Sequence, residues 1–169
     1  MLNRIFPKQF DNNYQGNKLA IWLLVPIVLM KLVMGAGAAG LNPWVSNRFI
    51  ATNADGFPLD TFGVEAASVV MFLFASWGLA LLVLNLLGIV VLIRYRAMIP
   101  LMYVLLSIEQ FGRKGISLVS PIVKAVETGG ISFGFLINSG LMAALVIGLV
   151  MSLWNKSGSP SRPLAESAS

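Results

Sequence analysis

The chain has 169 residues, of which 57% are hydrophobic and only 11% charged, with a formal charge of +5 and a mean hydropathy of +0.81. That balance lies far outside the range of soluble globular domains. The absence of both cysteine and histidine excludes disulfide exchange, thiolate nucleophiles, cysteine- or histidine-built zinc sites, iron–sulfur clusters, histidine-ligated haem and the Ser-His-Asp and Cys-His catalytic sets.

The hydrophobic excess sits in four runs, at about 18–41, 65–93, 97–120 and 131–154. Each approaches or exceeds the 20 or so residues that a helix needs to cross about 30 Å of hydrocarbon. The expected fold class is therefore an all-α membrane protein with four transmembrane helices in an antiparallel bundle. No catalytic residue, metal or cofactor is expected. Nucleic acid is not an expected partner either, because the twelve Lys and Arg are scattered beside the apolar runs and read as topology determinants.

Residues 1–17 place Leu2, Ile5, Phe6 and Phe10 among Arg4 and Lys8, a pattern for an amphipathic segment lying on membrane lipids. The first span carries Trp22, Pro26 and Lys31. Its small run Ala36-Gly37-Ala38 resembles a signal-peptide cleavage site, but Lys31 interrupts what would be the apolar core, and the run exceeds the usual core length, so a retained helix is expected. Gly35-Ala36-Gly37-Ala38-Ala39-Gly40 matches the G-x-G-x-x-G dinucleotide fingerprint only in letters. That fingerprint works between a strand and a helix, whereas an apolar helix precedes it here; close helix packing by small residues is the better reading.

Residues 42–63 form the expected external loop, with Pro43, Pro58, a turn at Asn53-Ala54-Asp55-Gly56 and the aromatics Trp44, Phe49, Phe57 and Phe62. A calcium loop with Gly56 at position 6 would put Ala51 and Phe62 where carboxylates belong. A solvated loop able to contact a partner is expected instead.

The second span has Asn85 as its one strongly polar side chain, expected to hydrogen-bond a neighbouring helix. Arg94-Tyr95-Arg96 then makes a short basic turn, and Pro100 falls in the first turn of the third span, where its missing N–H does little harm. The third span holds Glu109, Arg113 and Lys114 within an otherwise apolar run. Charges at such depth face the interior of a helix assembly and find partners there. In the fourth span Gly140, Ala144, Gly148 and Ser152 recur every four residues, a smooth stripe suited to close helix association. The tail 155–169, rich in Ser, Pro and Ala, has nothing to bury and is expected to be disordered and cytoplasmic.

Arg4, Lys8, Lys18, Arg94, Arg96, Lys156 and Arg162 flank one side of the spans, and only Arg48 and Lys124 the other. The positive-inside rule then predicts both termini in the cytoplasm of a bacterial inner membrane. In that topology Lys31 and Glu109 enter from the same surface to matching depths, and Glu109 and Arg113 stand at i,i+4. A buried Lys31–Glu109–Arg113 cluster that orients the first and third helices is expected. The expected function is a non-enzymatic accessory, assembly or regulatory subunit acting by helix packing and loop contacts, with other membrane subunits or copies of itself as partners. The alternative is a small proton- or cation-coupled transporter using Glu109.

Overall fold

The computed structural model describes residues 5–7, 11–12, 14–53, 55–120 and 133–154. The regular structure among them is helical: α1 (Lys18–Ala38), α2 (Asn47–Asn53), α3 (Val64–Ile93), α4 (Ile99–Val119) and α5 (Phe133–Leu153), with single 3₁₀ turns at Leu59–Thr61 and Arg96–Met98. The tail, the segment with Lys124 and Glu127, and Leu2, Arg4, Lys8 and Phe10 of the N-terminal stretch read above as amphipathic lie outside the described residues.

Local chemistry sets the ends of α1. The Asn17 side chain accepts the Leu19 N–H at 3.0 Å and so caps its first turn. The helix stops at Ala38, short of the expected Leu41, because Gly40 adopts φ +77° and reverses the chain. Leu41 N–H then donates to the Ala36 carbonyl at 2.9 Å and Gly40 N–H to that of Gly37 at 3.1 Å, the paired bonds of a Schellman motif. Pro26 leaves the helix continuous; it only withdraws one donor from the Trp22 carbonyl.

Helices α1, α3 and α5 are long and apolar enough to cross a membrane, α5 over Leu136–Leu153, which marks the chain as a multi-pass membrane protein. At 30 residues, α3 is about 45 Å long. That exceeds the hydrocarbon thickness, so it must tilt or project. The fourth long helix, α4, is not among the apolar set, because Glu109, Gln110, Arg113 and Lys114 occupy its second half.

All four long helices nonetheless share one core, in which Leu24 and Val28 of α1 meet Ile99, Met102, Tyr103 and Leu106 of α4 and Leu145 of α5. The pairing alternates in direction. Gly35 lies on Leu82, Ala38 on Gly78 and Val28 on Gly88, so α3 returns antiparallel along α1. Tyr103 sits on Gly148 while Gln110 reaches Asn138, so α5 runs antiparallel to α4. Small residues set the α1–α3 spacing: a Cβ on Gly35 would stand 2.8 Å from the Leu82 nitrogen. By contrast α3 and α4 touch little along their length, and the gap between them becomes the groove described below.

The segment between α1 and α3 departs from the solvated loop expected. Its α2 and 3₁₀ turn bury Ala51 and Leu59 against Ala38 and Phe74, flanked by Ile50, Phe57 and Trp77. Outside the bilayer, sealing a side chain the size of Leu59 from water is worth roughly 1.5–3 kcal/mol, enough to hold a short helix that would not persist alone. The exposed Arg48–Asp60 pair at 3.6 Å also joins α2 to the turn; as a surface ion pair it contributes little.

Candidate functional site: a charged knot beside a lateral groove

About 20 Å along α1 from Lys18, five polar side chains from three helices meet. The Lys31 ammonium, 2% exposed, donates to Glu109 Oε2 and, at 2.8 Å, to Gln110 Oε1. Arg113 lies one turn beyond Glu109, its Nε 3.8 Å from Glu109 Oε1. The Arg113 Nη2 donates to Asn138 Oδ1 at 2.9 Å and to Gln110 Oε1 at 3.4 Å, and Gln110 Nε2 donates to Asn138 Oδ1 at 2.9 Å. Helix α3 adds the ring of Trp77, whose centroid is 5.1 Å from the Arg113 guanidinium carbon. A cation so placed gains about 0.5–2 kcal/mol. All four long helices thus contribute at this level.

Lys31, Glu109 and Arg113 are therefore brought together, while Gln110 and Asn138 are members that the charge pattern does not announce. Formally the knot holds two cations and one carboxylate. Lys31 is enclosed, whereas Arg113 is 30% exposed toward the gap between α3 and α4. Glu109 Oε1 is buried and has no hydrogen-bond partner, so Arg113 faces it as a charge and not as a donor. Lys114 is exposed.

The gap itself is a groove of about 740 Å³. Its walls are apolar, with Leu73, Phe74 and Trp77 on α3 and Ile108 and Ile116 on α4; Phe57 and Phe62 roof it together with Asp55, and Glu109 and Arg113 are the charged groups from α4. Edge-on packing of Phe57 against Phe74, with centroids 5.7 Å apart, ties the roof to the wall.

Asn85 does not reach a neighbouring helix. Its amide donates at 2.7 Å to the Leu81 carbonyl of its own helix, and its Oδ1 is buried without a partner. The reason is its position on the stripe of Gly78, Leu81 and Gly88, which faces the close backbone and Val28 of α1 and meets no side-chain donor there.

The α5 stripe divides. Gly148 lies directly on the Tyr103 ring, Ala144 borders the shared core, and Ser152 is buried with its hydroxyl donating to the Leu149 carbonyl at 2.7 Å. Gly140 is exposed and has open space where a side chain would go. The described part of the stripe thus meets α4 of the same chain at Gly148. Tyr103, fully buried, is fixed from its other end by donating its hydroxyl to the Ala20 carbonyl at 2.7 Å.

Among the described residues no group of three or more acidic side chains could hold a metal ion. No family model, curated protein or solved structure matches the chain, so the functional reading rests on this geometry.

Proposed function

We propose that the protein is an accessory or assembly subunit of a bacterial-type inner membrane, in which α4 crosses with α1, α3 and α5 as a four-helix antiparallel bundle with both termini cytoplasmic. It acts by seating a transmembrane helix of a different subunit in the groove between α3 and α4. The observation that carries this reading is the composition of that groove: apolar walls over a floor where Glu109 and the partly exposed Arg113 stand side by side. Lipid chains would fill the walls and offer no acceptor to the exposed part of Arg113. A partner helix that presents an acidic or carbonyl acceptor beside apolar side chains satisfies both.

Gly112 allows the seat to be tested without touching the knot, since it lines the groove and has nothing within 4 Å of where a Cβ would stand. A photoreactive benzophenone side chain at Ile108 should give an adduct with another membrane polypeptide in native membranes, and the same group at Val146, exposed on α5, should not. Gly112→Trp should abolish the Ile108 adduct while changing stability by no more than about 0.5 kcal/mol. An adduct of twice the chain's own mass would show a second copy in the seat and sink the claim of a different subunit. Lipid adducts alone would sink the docking reading.

The proposed orientation has its own check. Ser46→Cys and Thr61→Cys, both at exposed positions, should react with an impermeant thiol reagent on intact cells, and Ser159→Cys only after the membrane is opened. Tail labelling in intact cells would reverse the assignment.

The transporter reading has one observation in its favour, the lining of the groove by Glu109. It requires Glu109→Gln to fold normally and to lose a pH-dependent cation flux in proteoliposomes. Absence of any such flux in the wild type removes it.

A further inference from the structure

At the far end of the helices from the groove, where α1 begins and the Arg96–Met98 turn joins α3 to α4, lies a second cleft of about 460 Å³. Its lining combines two chemistries. Lys18 and Arg96 bring positive charge, and both are exposed. Ile21 and Val25 of α1 and Leu92 of α3 supply an apolar wall, with Trp22, 73% exposed, among the lining side chains. From Lys18 to Val25 the wall follows α1 for about 10 Å, along the direction in which that helix would enter the bilayer.

The cleft is fixed by its surroundings. Arg96 Nε donates to the Leu92 carbonyl at 3.1 Å, which anchors the guanidinium to the end of α3. Ala97 N–H donates to the Asp11 carbonyl at 3.3 Å, so the N-terminal segment braces the turn; the Asp11 side chain is not part of the lining. Tyr14 donates its hydroxyl to the Asn17 carbonyl at 3.2 Å. Burial pushes its phenol up to about 12, so this lining residue stays neutral and places no negative charge beside the cations.

The geometry points to a binding site for one anionic phospholipid, with the headgroup phosphate between Lys18 and Arg96, an acyl chain along Ile21, Val25 and Leu92, and the Trp22 indole at the membrane–water boundary. The site rests on the membrane placement of α1 and α3 and not on what occupies the groove. Basic clefts of this kind at helix ends select anionic headgroups by charge, and indole rings settle at the same level. Free phosphate would use the two cations and ignore the wall. A zwitterionic lipid would use the wall and offer no net charge to the cations.

The test is native mass spectrometry of the full chain from detergent micelles, with phosphatidylglycerol or phosphatidylcholine of identical acyl chains added at equal concentration. Two cations near the headgroup predict a preference for phosphatidylglycerol of roughly thirtyfold, which corresponds to about 1 kcal/mol for each. Lys18→Gln with Arg96→Gln should bring the two lipids to near parity, and Lys114→Gln, an exposed cation elsewhere, should leave the preference intact. Equal retention of both lipids by the wild type overturns the inference without recourse to a variant. Displacement of phosphatidylglycerol by an equal concentration of inorganic phosphate overturns it as well, since the wall would then contribute nothing. Flotation with phosphatidylcholine liposomes separates the two levels: a chain that floats yet shows no lipid preference loses this site and keeps its membrane placement.

Discussion

Glu109→Leu should destabilise the protein in detergent by about 3–5 kcal/mol, the cost of removing one partner of a buried ion pair, read as a fall in the thermal or denaturant midpoint. The loss has two sources in the structure. Lys31, enclosed among helices, keeps the Gln110 carbonyl as acceptor, and Arg113 loses the carboxylate 3.8 Å from its Nε. Lys31→Met should be the milder single change, because Glu109 retains Arg113 at ion-pair distance and Lys31 takes no other charge with it when it goes. Combining the two should recover much of the Glu109→Leu loss, since the orphaned ammonium is then gone as well. Strictly additive losses in the double-mutant cycle would mean that the two residues do not interact. Glu109→Gln should fall between wild type and leucine. It keeps an acceptor for Lys31 but removes the charge that offsets two cations.

The proximity of Lys31, Glu109 and Arg113 is legible in the sequence because charge inside an apolar run is rare, costly and confined by depth. Two opposite charges entering from one surface to the same level have few places to go. Gln110 and Asn138 escape such reading. A neutral amide carries no sign to match, and which face of α4 meets α5 depends on rotation about an axis. Helices α3 and α5, apolar nearly all round, do not encode such a rotation. The same uniformity hides the fate of Asn85, whose neighbours across the contact are backbone and Val28. Segment 42–63 misleads for the opposite reason. Its buried residues, Ala51 and Leu59, are too few and too widely spaced to form a periodic signal, and their burial depends on Ala38 and Phe74 from the flanking helices. Helix ends are more readable: Gly40, with its positive φ, marks the stop of α1, although the run of small residues before it blurs the position by a turn.

Two glycines eight residues apart on one stripe of α5 should respond in opposite ways to the same substitution. Gly148→Leu should cost about 3 kcal/mol, the upper end for overpacking a core, because a Cβ there would collide with the Tyr103 ring. The ring cannot swing aside at little cost. It is fully buried, and its hydroxyl holds the Ala20 carbonyl on α1, so any movement breaks a buried hydrogen bond or drives α4 and α5 apart. Gly140→Leu should change stability by no more than about 0.5 kcal/mol, since open space lies where its side chain would go. Leu145 is an unsuitable control, being itself at the centre of the core; Ile147→Phe, at an exposed position, serves instead. Tyr103→Phe should relieve none of the Gly148→Leu loss, because the clash is with the ring, whereas Tyr103→Ala should relieve much of it by vacating the space the leucine needs. Equal and small effects of Gly148→Leu and Gly140→Leu would mean that the stripe is composition alone. Equal and large effects would mean that another subunit packs on Gly140 as closely as α4 packs on Gly148.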